Sequence, residues 1–183
     1  MFIQTQDTPN PQTLKFMPGV QVLSSGTRSY GLEDNRNDAP IVDSIFKIKG
    51  IKSVFLAKDF ISVTKDEEQD WEYLKPLVLA GIMDHFVSGM PAVLESSEKR
   101  ESSNAISDDE LTKQIVELIE TRVRPAVAQD GGDIVFRDFK EGVVYLEMQG
   151  ACSGCPSSTI TLKNGIENML KHYIPEVVSV ESV

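Results

Sequence analysis

The run Val143-Val144-Tyr145-Leu146-Glu147-Met148-Gln149, followed by Gly150-Ala151-Cys152-Ser153-Gly154-Cys155-Pro156-Ser157-Ser158, decides how the second half of this 183-residue chain folds. The first part reads as a strand, broken at Gly150. Upstream, Ile134 to Phe139 reads as a partner strand, joined across Lys140-Glu141-Gly142 as a hairpin. Downstream, Pro156 suits the first position of a helix, where its missing N–H costs nothing. That helix is expected from Pro156 or Ser157 to about Tyr173, with Leu162, Ile166, Met169, Leu170 and Tyr173 on one face. Val177 to Val180 is expected to add a third strand. The cysteine-bearing loop therefore sits between a strand and a helix.

Cys152 and Cys155 are the only cysteines in the chain. Two thiols so close make half of a tetrahedral sulfur site, whereas structural zinc and cubane iron–sulfur sites normally take four ligands. Backbone N–H groups in the first helical turn have no intrahelical partners, and such an N-terminus stabilises negative charge. It should lower the thiol pKa, and Gly154 allows a tight turn. Two exposed, electron-rich thiolates on a compact hook are expected. His172 lies about 25 Å from Cys155 along a regular helix at ~1.5 Å per residue, so it cannot complete the set. His85 reads as an ordinary histidine of an amphipathic helix. Four readings stay open: inert structural cysteines, though the adjacent glycines and proline argue against burial in a core, dithiol redox exchange, a zinc bridge, or a cluster held by two copies of the chain. Thioredoxin-like redox motifs sit early in a βαβ pattern, unlike this one after a hairpin. A site shared between two chains leads.

Composition removes other classes. Formal net charge is -10, and no cluster of Lys and Arg offers a footprint for phosphate backbones, so nucleic acid is not an expected partner. Nine basic against twelve acidic residues in 1–94 leave −3, and nine against sixteen in 95–183 leave −7. Acidity of this kind serves solubility; its sharper use is selection of basic client surfaces. No apolar run approaches the ~18 residues of a membrane span. Met1 to Asp7 has no basic n-region, apolar h-region or Arg-rich amphipathic stretch. A cytoplasmic location is expected, or the mitochondrial matrix if a transit peptide has been removed. The thiols are then kept reduced.

Residues 95–107 are polar and serine-rich, with one apolar side chain larger than alanine. They cannot build a core and read as a flexible linker. The expected fold class is α+β, two small α/β-sandwich-like domains over 1–94 and 107–183 with the linker at 95–106. In the first domain, Thr8-Pro9-Asn10-Pro11 marks a turn. Thr13 to Met17 reads as a strand, Val20 to Ser24 as another extended piece, and Pro40 to Ile48 as a helix. Val54 to Leu56 and Phe60 to Thr64 read as a hairpin, and Trp71 to Ser88 as a helix. No concentrated chemistry marks this domain, which reads as a scaffold or partner-binding module. The second opens on a capping box, Ser107-Asp108-Asp109-Glu110. A helix follows through Leu111, Ile115, Leu118, Ile119, Val123 and Val127, which Pro125 should kink or tighten. Asp130-Gly131-Gly132-Asp133 ends it as a turn. As a metal site, Asp130 and Asp133 are the weaker reading. Lys163 either screens bound anionic cargo or is simply exposed.

Asp130-Gly131-Gly132-Asp133, with Gly150-Ala151-Cys152-Ser153-Gly154-Cys155-Pro156-Ser157-Ser158 after the hairpin, resembles the C-terminal domain of the NifU-like (Nfu) family. Thr8-Pro9-Asn10-Pro11 with Lys15-Phe16, Val54-Phe55 with Asp59-Phe60-Ile61-Ser62-Val63, and Trp71 resemble its N-terminal domain. The resemblance covers nearly the whole chain. It implies a non-enzymatic iron–sulfur scaffold or carrier, with Cys152 and Cys155 as ligands shared across a homodimer. The implied cargo is a [4Fe–4S] cluster, with [2Fe–2S] as the other option, and the implied partners are apo iron–sulfur proteins and cluster assembly factors. The 183 residues show no counterpart of the amino-terminal IscU-like scaffold of full-length NifU, so primary assembly is expected elsewhere.

Overall fold

The computed structural model describes residues 1–94, 109–154 and 156–183, with side chains at 156–158 left aside. The chain divides into two compact units, Met1–Glu101 and Ser102–Val183, each with a sheet and helices, so the fold class is α+β. The expected linker falls outside the described residues. Among those described, no helix is long and apolar enough to cross a membrane.

In unit 1 the strands are β1 (Gln4–Asp7), β2 (Thr13–Met17), β3 (Arg28–Gly31), β4 (Ile51–Leu56) and β5 (Ile61–Lys65). They form one antiparallel sheet in the order β1-β2-β5-β4-β3. Alternate residues Val54 and Leu56 of β4, and Ile61 and Val63 of β5, enter the core, as the two-residue period of a strand requires. Against them pack α1 (Pro40–Phe46) through Ile41, Val42 and Ile45, and α2 (Trp71–Val87) through Leu74, Val78 and Ile82. Pro40 opens α1, and the Asp70 carboxylate accepts the Glu72 N–H to cap α2. Pro76 sits inside α2 without ending it. The Trp71 ring lies 6.2 Å from that of Phe16, and its indole N–H donates to the Pro11 carbonyl at 3.3 Å. The turn read at Thr8–Pro11 is thus fastened to the start of α2.

Two strands of unit 1, β1 and β3, have no counterpart in the expected elements, and Val20 to Ser24 is not a strand. Val22 N–H donates instead to the Lys58 carbonyl at 2.8 Å, and the Val22 and Leu23 side chains are buried. Their apolar character reflects a loop that closes the core. The strand β1 is polar and almost wholly exposed. Its pairing with β2 is set by backbone bonds rather than by a hydrophobic period.

Unit 2 begins with α3 (Glu110–Leu118), a π-helical turn (Ile119–Val123) and α4 (Arg124–Gln129). Ser107 and Asp108 of the expected capping box lie outside the described residues. Asp109 stands at the N-cap, with no side-chain capping bond among the described residues. Where Pro125 is expected to kink or tighten the helix, the turn before it widens. Lacking an N–H, Pro125 cannot complete an α-helical bond, and its ring would strike the carbonyl four residues back. One wide turn, closed by Arg124 N–H donating to the Ile119 carbonyl, lets the chain continue past it. Strands β6 (Gly132–Lys140) and β7 (Val143–Gly150) form the expected hairpin. It closes at Glu141 and Gly142, both at positive φ (50° and 78°). Helix α5 (Pro156–Tyr173) leads to β8 (Ser179–Ser182), which runs parallel to β7. The last strand starts two residues later than expected, because Val177 N–H closes a turn onto the Ile174 carbonyl. Ile115, Ile119, Val123 and Val127 meet Ile134, Val144, Leu146, Ile166 and Leu170 in one core. Tyr173 is exposed rather than buried, its ring under the Arg122 guanidinium at 5.0 Å.

Candidate functional site

The register of the β6–β7 hairpin places Gly132 opposite Gly150. The Asp130–Asp133 turn and the cysteine loop therefore meet at one end of the sheet, though about twenty residues apart in sequence. Ala151 N–H donates to the Gly131 carbonyl at 3.2 Å, and Ser153 N–H to the Gly150 carbonyl at 3.1 Å. Gly131, Gly150 and Gly154 take positive φ (79°, 62° and 78°), which glycine adopts without a Cβ penalty. The Thr159 hydroxyl in α5 donates to the Cys152 carbonyl at 3.3 Å. The loop is tied at Ala151 to the glycine turn and at Cys152 to the following helix.

Cys152 departs from the expectation of an exposed thiolate. It is 7% exposed and packs in the core of unit 2. A β-carbon on Gly132 would lie 2.5 Å from its Sγ, so the sulfur occupies the space that the glycine vacates. Burial pushes the thiol up to about 12, and the nearby Asp130 and Asp133 carboxylates add to the rise. Loss of water around the sulfur leads, against the lowered value expected of a thiol at a helix N-terminus. Cys155 lies outside the described residues.

Asp133 is not arranged as a metal ligand. Its carboxylate is 4% exposed and takes a two-pronged bond from Arg124: Nε–H to Oδ1 at 2.9 Å and Nη2–H to Oδ2 at 2.8 Å. It also accepts the Ile134 N–H at 2.8 Å. Arg124 Nη1 donates to both oxygens of Glu120 at 2.8 Å. Held by Asp133 first and by Glu120 as well, the guanidinium binds its proton more tightly than a free arginine. Arg124 and Glu120 did not stand out as site residues in the sequence. Their spacing of four on a helix is the one signal they offered, and the wide turn before Pro125 carries Arg124 to Asp133. Asp130 ends α4.

The remaining candidates are placed elsewhere. Lys163 pairs with Glu181 of β8 at 2.9 Å. His172 is exposed in the last turn of α5, edge-on to Tyr173. His85 belongs to unit 1, buried at the end of α2, where Nε2 bonds the Pro91 carbonyl at 3.0 Å. Among the described residues no three His, Cys, Asp or Glu side chains gather as a metal site.

An α+β unit with a Cys-x-x-Cys sequence between a hairpin and a helix, in one chain with a second α+β unit, is the class of protein that the fold and site define. Residues 115–181 match the NifU-like domain, and residues 3–89 match the N-terminal domain of the scaffold protein Nfu/NifU. The human "NFU1 iron-sulfur cluster scaffold homolog, mitochondrial" is 52% identical over 184 residues, covering 100% of this chain and 72% of its own length. The protein of the same description from Drosophila ananassae is 50% identical over 184 residues, covering 100% of this chain and 64% of its own length. The solution structure of a NifU-like protein from Saccharomyces cerevisiae aligns over 52% of this chain and 86% of its own, with 24% identity and a TM-score of 0.48. The chain belongs to the NifU-like (Nfu) iron–sulfur cluster scaffold family.

Proposed function

We propose that this protein carries a [4Fe–4S] cluster between two copies of the chain, each giving Cys152 and Cys155, and passes it to apo iron–sulfur proteins. The observation that carries this is the loop from Gly150 to Gly154, fastened to a glycine turn on one side and to α5 on the other, in a chain with two cysteines in all. Soft thiolate ligands suit an iron–sulfur cargo, and a set of four needs a second chain. Residues 1–94 and 107–183 act as its two domains, with 95–106 as the linker. The mitochondrial location in the relatives' names is favoured over the cytoplasm.

The cargo cannot reach Cys152 where the sulfur now lies. Loading needs the segment Ala151–Gly154 to turn outward about Gly150 and Gly154, taking the thiol from the core as its proton leaves. At transfer, a client thiol gives up a proton and its thiolate replaces a carrier thiolate on iron. The freed cysteine takes a proton and returns to the place against Gly132.

Oxygen-free reconstitution tests this, with iron, acid-labile sulfide and zinc counted per chain and mass read by light scattering. The expected product is one four-iron cluster per two chains, lost in Cys152→Ser and in Cys155→Ser while the fold persists. A single-chain species with a full complement of iron and sulfide, or either variant retaining a stoichiometric cluster, overturns it. Zinc in place of iron and sulfide selects the zinc-bridged alternative. Rapid insulin reduction selects the oxidoreductase.

A further inference from the structure

The helix α2 buries one face in unit 1 and turns another to solvent that is almost as apolar. Tyr73, Pro76, Leu77, Ala80, Met83 and Val87 are all exposed, Tyr73 at 67% and Val87 at 73%. At 100° per residue they fall within one arc of the helix. Single exposed apolar residues need no explanation, but a contiguous stripe marks a contact surface. Two other residues share the arc, and both are acidic: Glu72 at one margin and Asp84 towards the other. No lysine or arginine lies on it; Lys75 is half-buried on a different side of the helix. The exposed carboxylates of Asp66, Glu67, Glu68 and Asp70 continue the negative charge past the N-terminal end.

We infer that this face docks a basic amphipathic helix of a partner protein, an apolar ridge flanked by Lys and Arg. Tyr73 to Val87 spans about 21 Å at ~1.5 Å per residue, matching a partner helix of about four turns. Ala80, midway, lets the two backbones approach, and Leu77 and Val87 flank it as anchors in the helix-in-groove manner. The charge pattern selects the occupant. A second copy would bring Glu72 and Asp84 against carboxylates of its own kind. An anionic membrane surface would be repelled. Residues 95–108 of the same chain hold one apolar side chain larger than alanine, Ile106, and one basic pair, Lys99-Arg100. This inference stands on unit 1 and does not require the cluster reading.

The test uses the full-length, iron-free chain at physiological ionic strength. The probe is a labelled synthetic helix with leucine on one face and lysine and arginine beside it; a matched peptide carries glutamate in place of the cations. Anisotropy should show saturable binding of the first and none of the second. The double variant Leu77→Ser/Val87→Ser should weaken binding about tenfold, the loss of two apolar anchors. Asp84→Lys should weaken it several-fold, and Glu117→Lys on unit 2 should leave it unchanged. Both unit 1 changes are at exposed positions, and Trp71 fluorescence confirms that the unit stays folded. The inference fails if the basic peptide does not saturate, if Glu117→Lys weakens binding as much as Asp84→Lys, or if both peptides bind alike. It also fails if light scattering shows iron-free dimers that the serine variant dissolves, since a second copy would then occupy the face.

Discussion

The Sγ of Cys152 fills the place where a side chain on Gly132 would begin, 2.5 Å from the ideal β-carbon position. The glycine is demanded by this contact and not by its backbone angle, for Gly132 is absent from the positive-φ positions while its neighbour Gly131 is among them. The backbone atoms Cys152 N and Gln149 O, each 2.9 Å from the same point, leave no soft direction in which an added methyl could move. The proposed ligand and the glycine turn therefore share one packing site.

Gly132→Ala should displace the cysteine loop. Overpacking of this kind costs about 1–3 kcal/mol, and the displaced Cys152 should lose its cover. In a Cys155→Ser background, where Cys152 is the sole thiol, alkylation by a maleimide should be faster in the alanine variant than in its parent. An unchanged alkylation rate together with unchanged denaturant stability would show that the contact is easily relieved.

Removing Arg124 should harm unit 2 more than neutralising its partner. Arg124→Met leaves the Asp133 carboxylate buried with one cation gone, and breaking a buried pair in that way costs about 3–5 kcal/mol. Arg124 is partly solvent-exposed and already shared with Glu120, so a loss nearer the lower end is expected. Asp133→Asn leaves the guanidinium its bond to Glu120 and some water, and should cost less. Urea titration followed by far-ultraviolet dichroism gives the order; the reverse order would deny the clamp its asymmetry.

Much of unit 2 was legible because its elements follow their periods: the alternating strands around Glu141-Gly142, and the apolar faces of α3 and α5. The position of Cys152 between strand and helix was legible too. The state of Cys152 was not, since nothing local tells that a glycine twenty residues earlier leaves room for its sulfur. The wide turn at Ile119–Val123 was hidden for a related reason. Pro125 announces a disturbance, but its form depends on how the chain recovers the lost bond. In unit 1, β1 was hidden by its polar residues and β3 by a short run, Arg28-Ser29-Tyr30-Gly31, with one buried side chain. Both are edges whose existence rests on neighbours distant in sequence.

Gly142→Ala should weaken the β6–β7 turn. Gly142 has φ 78°, and its added β-carbon would lie 2.7 Å from Val178 Cγ2 and 3.0 Å from the Glu176 carbonyl oxygen. The cost joins backbone strain to a clash with the segment leading into β8, for about 1–3 kcal/mol in all. Glu141→Gly relieves a positive φ of 50° without touching Val178, so it should be neutral or slightly stabilising. Thermal melts of the two variants should therefore move in opposite directions or differ clearly in size.

His85 should make unit 1 sensitive to mild acid. Burial lowers its pKa below the ordinary 6.5, with bonds to the Pro91 and Met90 carbonyls opposing the shift in part. With Nε2–H donating to the Pro91 carbonyl, Nδ1 is a buried acceptor that finds no partner among the described residues. The folded state thus binds a proton less readily than the unfolded chain. Stability is complete above about pH 6.5 and falls as pH drops from there towards the lowered folded value, by at most about 1.4 kcal/mol per pH unit. The single tryptophan, Trp71, lies in unit 1, so its fluorescence in urea between about pH 7 and pH 5 reads this unit alone. His85→Gln, whose amide N–H can still meet the Pro91 carbonyl, should flatten the slope in that window. A variant that kept the full pH dependence would assign it to other groups.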